Sequence, residues 1–200
     1  MQQLQLKSCI RRKKYNSYKG RYGKAAGNIL SRQFSATRPN QKWVTDVTEF
    51  RIGGEKLYLS PVLDLYNGEI IAYQMEQRPH LSMVDDMLLK ALSTLNEGEH
   101  PLLHSDQGWQ YQMVHYQKRL EKAGLKQSMS RKGNCLDNAV IESFFGTLKS
   151  ECLYLEKFES IKELRNAIDE YIYCYNHERI KQKLKGLSPV EYRTQSQIVA

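Results

Sequence analysis

Hydrophobic and polar positions divide the chain into a patternless start and a strongly patterned remainder. Residues 1–40 are polar, rich in Lys, Arg, Tyr, Gly and Asn, and show no sustained period. They read as an arm or linker with at most short helices. Order is expected from about Trp43 onward. Trp43–Ile52, Lys56–Leu65 and Glu69–Met75 are strand-like runs, separated by Gly53-Gly54 and Asn67-Gly68, both strong hairpin signals. Three antiparallel strands joined by tight turns follow from that pattern.

The period then changes. Val84, Met87, Leu88, Ala91, Leu92 and Leu95 form one apolar helical stripe, with Ser82 as the expected cap and Asp85 in the first turn. Pro101–Ser105 is a short apolar strand, Tyr111–Ala123 a helix and Leu125–Ser128 another short strand. Ser130–Leu136 reads as a flexible loop, with a helix starting near Asp137. Ser160–Asn176 is a further helix, and Ser188-Pro189-Val190-Glu191 is a capping box with proline at its first helical position. Ahead of that last capping box, the order β-β-β-α-β-α-β-α-α predicts an α/β fold, a mixed five-stranded sheet flanked by helices. This suits a ribonuclease-H-like arrangement without excluding other α/β ones.

Charge sharpens the picture. The net charge is +8, and Met1–Thr45 holds eleven Lys or Arg and no acid. The remaining residues carry nineteen basic and twenty-two acidic side chains, a net −3. All the positive excess therefore lies in the patternless stretch, the footprint of phosphate binding. A solvated tail meeting acidic proteins or ribosomal RNA is the plainer alternative. Cys9, Cys135, Cys152 and Cys174 are far apart, with no CxxC pair, which argues against a zinc ribbon and for free thiols, Cys152 in a helix core. No apolar run approaches the ~18–20 residues of a membrane span, and no signal-peptide core is visible at Met1–Ile10. A cytoplasmic protein with no membrane partner is expected.

Three acids stand in positions that invite chemistry. Asp46 lies inside the first strand, where aspartate is depleted because it resists burial and competes for backbone hydrogen bonds. Asp106 closes a buried strand, where sites in α/β sheets gather. Glu142 lies on the helix beginning near Asp137. At about 100° per residue, Ile141, Phe144, Phe145, Leu148 and Cys152 make that helix's core stripe, and Asn138, Glu142 and Lys149 line one border of it. Each acid has a plainer reading: an exposed edge residue, a turn or cap residue, a solvated border residue. Asp64, Asp137 and Glu151 are competing acids near element ends. Converging carboxylates suit Mg²⁺, a hard cation that prefers oxygen ligands, and two such ions can serve an in-line phosphoryl transfer.

Trp43-Val-Thr-Asp46-Val-Thr, His104-Ser-Asp106-Gln-Gly108 and Asp137-Asn-Ala-Val-Ile-Glu142-Ser-Phe-Phe-Gly-Thr-Leu-Lys149-Ser-Glu151 resemble the bacterial insertion-sequence transposases with a retroviral-integrase-like core. Thirty-five residues separate Asp106 from Glu142, the spacing that family uses. The resemblance runs from about Ile29 to the C-terminus, through Tyr175-Asn-His-Glu-Arg179 and Leu187-Ser-Pro-Val-Glu-Tyr192. It implies a ribonuclease-H-like core at residues 41–155 after a basic arm at 1–40, with a helical extension at 156–200. It implies that Asp46, Asp106 and Glu142 are catalytic and bind two Mg²⁺ ions, for which Mn²⁺ can substitute. It further implies that Lys149 contacts the DNA of the element's end, and Asn138, Arg131 and Lys132 are expected beside it. His104, Gly108, Trp109 and Asn138 look like residues that shape the site.

The implied activity is metal-dependent cleavage at an element's end, then attack of the freed 3′-hydroxyl on another phosphodiester. DNA is the expected partner, a homo-oligomer on DNA the expected assembly, and an upstream helix-turn-helix protein a further partner. Residues 1–42 have neither the length nor the pattern of a complete helix-turn-helix region, so the chain reads as a catalytic half. Two rivals stay open: a metal nuclease of the same fold, and a DNA-binding remnant without activity.

Overall fold

The computed structural model describes residues 23–198. The expectations for the arm at residues 1–22, and for Cys9, lie outside them. Six strand segments build one sheet: β1 (Lys42–Thr45), β2 (Thr48–Ile52), β3 (Glu55–Asp64), β4 (Ile70–Glu76), β5 (Leu102–Ser105) and β6 (Lys126–Met129). β3 pairs antiparallel with β1, β2 and β4, while β1, β5 and β6 run parallel. The helices are α1 (Leu81–Leu92), α2 (Trp109–Gln112), α3 (Val114–Lys122), α4 (Ala139–Leu148), α5 (Ile161–His177) and α6 (Pro189–Ile198).

β1 and β2 are the halves of the single first strand that the hydrophobic pattern predicts, so the expected five strands become six segments. Both halves keep one register on β3, with Thr45 opposite Val62 and Thr48 opposite Leu59. That register puts Asp46 opposite Pro61, whose nitrogen has no hydrogen to donate. Pairing lapses there, and Asp46 sits in the gap.

Alternation along the strands feeds two cores. Val44, Phe50, Leu57, Leu59 and Leu63 pack on one face against Ile141, Phe144, Phe145 and Leu148 of α4 and Leu164, Ile168 and Ile172 of α5. Trp43, Val62 and Leu103 pack on the other against Val84, Met87 and Leu88 of α1 and Tyr116 and Leu120 of α3. Helices thus cover both faces, as two-sided burial of parallel strands requires.

Several boundaries differ from expectation. α1 starts at Leu81 after His80, without a side-chain cap, so Ser82 lies inside the helix and does not cap it. The helix expected over Tyr111–Ala123 starts at Trp109 and breaks at Met113, whose ψ is 133°. On a continuous helix Tyr111 and Tyr116 would point roughly 140° apart. The break lets both rings be buried, in edge contact at 5.6 Å. α4 is preceded by a 3₁₀ turn at Cys135–Asn138 and followed by a π turn at Lys149–Leu153, with Cys152 buried as expected.

The chain is packed well before Trp43. Leu30 is buried in the same core as α4, and the backbone N–H groups of Ile29 and Leu30 donate to Ser128 Oγ at 2.9 and 3.0 Å. At the other end, the capping box of α6 forms as expected: Ser188 N–H donates to Glu191 Oε2 at 2.8 Å, and Glu191 N–H to Ser188 Oγ at 3.4 Å. Asn176 of α5 bonds both backbone groups of Ile70, each at 2.9 Å, so this motif residue fastens α5 to the start of β4.

Candidate active site

The sheet brings two of the three acids together by register alone. β1 runs parallel to β5 with Lys42 opposite Leu102 and Val44 opposite His104. Two residues further on, Asp46 and Asp106 leave the ends of adjacent strands. Neighbouring strands lie ~4.8 Å apart. Alternation from Val44 and His104 carries both aspartates to the face that α4 covers. Glu142 lies in the first turn of α4 and is exposed.

Each aspartate has one oxygen engaged by backbone. Val47 N–H donates to Asp46 Oδ1 at 2.7 Å, and Gly108 N–H to Asp106 Oδ1 at 2.8 Å. A Cβ on residue 108 would fall 2.9 Å from Asp106 Oδ1, so glycine there keeps the turn closed on the carboxylate. Glu142 accepts no hydrogen bond among the described contacts.

The electrostatics are those of crowded like charges. Burial first, then the charge of Asp106, and more weakly that of Glu142, hold Asp46 well above the usual carboxylate range; Val47 N–H and the Lys149 ammonium oppose this. Burial raises Asp106 against the pull of Gly108 N–H. Although Glu142 is exposed as a residue, partial shielding of its carboxyl from water and the charge of Asp106 raise it. Among the described residues no three His, Cys, Asp or Glu side chains are gathered closely enough to grip one ion. The carboxylates sense one another without forming a closed cluster.

The competing acids are neutralised. Asp64 is buried and accepts from the N–H groups of Asn40 and Tyr66 at 2.8 and 2.9 Å and from Arg193, which ties α6 to the sheet. Glu151 pairs with Arg179 and takes a hydrogen bond from Tyr171 Oη at 3.0 Å. Asp137 is wholly buried beneath Arg32 and Arg131, which hold its carboxyl far below the usual range.

The expected DNA contacts separate. Lys149 Nζ donates to Thr48 Oγ1 at 2.5 Å and lies 5.3 Å from the centre of the Phe50 ring, close enough to Asp46 for their charges to interact. Lys132 is exposed on the loop. Arg131 is committed to Asp137 through its N–H, Nε and Nη2, although its side chain stays largely exposed. Asn138, placed on the helix border by periodicity, is instead 2% exposed, because it lies in the 3₁₀ turn and not in α4. Its Nδ2 donates to the carbonyl of Thr45, next to Asp46, at 3.4 Å. His104 is buried between Ser128 Oγ and Ser130 Oγ, 2.8 and 3.1 Å from its ring nitrogens, and burial lowers its pKa. Sequence reasoning missed Asn28 and Arg32, which reach Asp137 from over a hundred residues away; within a run of basic residues no spacing marks them out.

A mixed sheet of this order, covered by helices on both faces, is the architecture of an integrase-type core. The integrase core-domain family matches residues 36–135 and again residues 142–196. The chain belongs to this family, among the bacterial insertion-sequence transposases with an integrase-like core. It is 61% identical over 193 residues to the putative transposase InsK for insertion sequence element IS150 of Escherichia coli K12, covering 96% of this chain and 68% of that protein. It is 56% identical to an uncharacterized transposase-like protein of Haemophilus influenzae, covering 98% and 90% respectively. The fold is similar to the HTLV-2 integrase catalytic core domain in complex with magnesium, with TM-score 0.62 and 19% identity, over 78% of this chain and 98% of that one. Among the described residues no helix is long and apolar enough to cross a membrane.

Proposed function

We propose that this chain carries the catalytic site of a transposase, which hydrolyses a phosphodiester at the end of a mobile element and joins the freed 3′-hydroxyl to target DNA. One observation supports this most: Asp46 and Asp106 leave adjacent strand ends on the face that carries Glu142, and all three are raised with no described arginine beside them, whereas Asp137 and Glu151 are lowered by arginines and Asp64, though raised by burial, is paired with Arg193. Like charges brought together with only Lys149, among the described residues, to offset them are unfavourable for folding, and such perturbed groups gather where they serve a cation or a proton. Asp46 and Asp106 each keep Oδ2 clear of the backbone bond taken by Oδ1, and Glu142 has both oxygens free of described hydrogen bonds. Such hard oxygen donors fit Mg²⁺ or Mn²⁺. Two bound ions would activate the attacking oxygen and stabilise the leaving one.

The residues divide the work. Asp46 and Asp106 hold from the sheet, Glu142 from the helix, and Lys149 offers a point charge suited to a DNA phosphate. Water and then the 3′-hydroxyl act as nucleophiles in the same in-line substitution, so no protein nucleophile is required. Arg131 and Lys132 contribute charge at the loop, and the basic stretch at residues 1–22, with seven Lys or Arg, adds sequence-independent affinity. The working unit is a homo-oligomer on DNA in the bacterial cytoplasm, with recognition of element ends completed by a helix-turn-helix protein.

A labelled duplex carrying an element end, incubated with the protein and Mg²⁺ or Mn²⁺, tests the reading. Joined products are expected, and are lost in Glu142→Gln. Cleavage without joining would make the chain a nuclease of this fold. DNA binding without either would make it a remnant.

A further inference from the structure

Glu142 is the least anchored of the three carboxylates. Asp46 and Asp106 each hold a backbone N–H, whereas Glu142 holds none and depends on where α4 stands. The apolar stripe of α4 binds it to the sheet, but apolar contact is non-directional. The first residue of the helix has no side-chain cap before it, since Asn138 makes none. Asn138 Nδ2 reaches the Thr45 carbonyl only at 3.4 Å, so a stronger directional constraint on that end must come from elsewhere.

It comes from Asp137, two residues before α4 and five before Glu142. Its buried carboxylate accepts five hydrogen bonds from two other segments. Arg131 supplies three, from N–H, Nε and Nη2, at 2.9–3.0 Å. Arg32 Nε donates to Oδ1 at 2.8 Å, and Asn28 Nδ2 to Oδ2 at 2.9 Å. Arg32 also reaches Asn134 Oδ1 from Nη2 at 3.0 Å. To bring Arg32 round, Ser31 and Arg32 adopt left-handed backbone conformations (φ 47° and 62°), closed by Ser31 N–H donating to Asn28 Oδ1 at 2.9 Å. Two successive non-glycine residues in that region are uncommon and need surrounding structure to hold them.

The same short segment also reaches the strand that carries Asp106. Ser128 Oγ accepts from both Ile29 N–H and Leu30 N–H, so its own hydrogen is left for His104 Nδ1. His104 is then the neutral tautomer with hydrogen on Nε2, which donates to Ser130 Oγ, and Ser130 Oγ donates to the carbonyl of Ser105 at 3.3 Å. One ordered chain of donors runs from residues 29–30 across β6 to the residue before Asp106.

We propose that residues 28–32 form a positioning strap for the acidic site, with Arg32 and Asn28 setting through Asp137 where Glu142 stands relative to Asp46 and Asp106. Neither residue touches DNA or cation in this role. The inference rests on the proposed metal-dependent reading. It predicts that the strap governs cation affinity and turnover, leaving DNA affinity alone.

The test uses the full chain and four variants: Arg32→Ala, Arg32→Lys, Asn28→Ala and Glu142→Gln. Each is measured for thermal melting, Mn²⁺ binding by calorimetry, DNA-end affinity at several salt concentrations, and joining rate. Arg32→Ala should weaken Mn²⁺ binding and slow joining by about tenfold or more, as loss of a group supporting a metal ligand does. DNA affinity and its salt slope should stay as in the unchanged protein. Arg32→Lys should recover part of the loss, because one ammonium can reach Asp137 but cannot also hold Asn134. Asn28→Ala should show the same pattern more weakly, and decides the matter if Arg32→Ala does not fold. Folded variants with unchanged Mn²⁺ affinity would overturn the strap. So would a flattened salt slope in Arg32→Ala, which would make Arg32 a phosphate contact. If Glu142→Gln leaves Mn²⁺ binding untouched, the metal-dependent reading fails first; if it abolishes binding and the strap variants do not weaken it, the strap alone fails.

Discussion

Asp137 and Glu142 lie five residues apart, yet the fold treats them in opposite ways. Asp137 is buried and given two guanidinium groups, so its charge is compensated and its pKa depressed. Glu142 is exposed, takes no described hydrogen bond, and is raised by partial burial of its carboxyl and by the charge of Asp106, while its own charge helps to raise Asp46. One acid is spent on structure, while the other is left with its charge unanswered. Sequence position cannot tell such acids apart; what distinguishes them is which side chains the fold brings up against them.

The comparison is broken most severely by removing the uncompensated charge. Glu142→Gln or Asp46→Asn should lower joining by more than about 100-fold, beyond what loss of a merely supporting group costs at a metal site. DNA binding should be largely kept, and a gel-based strand-transfer assay with parallel mobility shifts reads both.

Stability should respond in opposite directions at the two places. Asp137→Ala leaves Arg32 and Arg131 facing each other without their carboxylate, and melting should move down clearly. Asp46→Asn should move it up at neutral pH, on the order of 2–4 °C for each kcal/mol of repulsion and desolvation relieved. The signs follow from linkage. A raised carboxylate pKa means that ionisation opposes folding, so the cost of Asp46 appears as pH rises through its folded pKa. Below the unfolded value near ~3.9 the variant's advantage should vanish. Asp137, with a depressed pKa, contributes stability above that unfolded value and loses it as pH falls further. Melting curves at stepped pH check both signs, and an Asp46→Asn protein no more stable than the parent at neutral pH would remove the contrast.

Smaller effects sharpen the picture. Lys149→Ala should reduce DNA-end affinity and lower the salt slope by ~0.9 for the one phosphate lost. Mn²⁺ affinity should hold, since an ammonium does not ligate a cation. Loss of Mn²⁺ affinity as severe as in Glu142→Gln would instead give Lys149, through Thr48 and its proximity to Asp46, a role in holding the site together. Deleting residues 1–22 should flatten the salt dependence of binding to long random DNA, read by mobility shifts at stepped salt.

The order of elements is legible because period-2 and helical patterns change sharply near Ser82, Pro101 and Asp137, within two residues of the observed starts at Leu81, Leu102 and Ala139, and because Gly53-Gly54 and Asn67-Gly68 mark both hairpins. The core stripes of α4 and α5 were equally plain. What the pattern did not show depends on partners distant in the chain. The lapse at Asp46 needs Pro61 opposite it, and the break at Met113 follows from burying Tyr111 and Tyr116 together. Asn138 appeared as a border residue only while the helix was assumed to reach it. The clamp on Asp137 depends on Asn28 and Arg32, more than a hundred residues away, and so left no local sign. Position alone does not separate Asp46, Asp106 and Glu142 from Asp64, Asp137 and Glu151 in the sequence; the motif resemblance does.

The central claim is that Asp46, Asp106 and Glu142 act as one cation site. A crystal soaked in Mn²⁺, with anomalous data collected at the manganese edge, tests it most directly. The account predicts anomalous density at the ends of β1 and β5, with carboxylate oxygens of all three residues within roughly 2–2.5 Å of an ion. Density elsewhere, or an ion at the strand ends with Glu142 turned away from it and the site otherwise ordered, would contradict it.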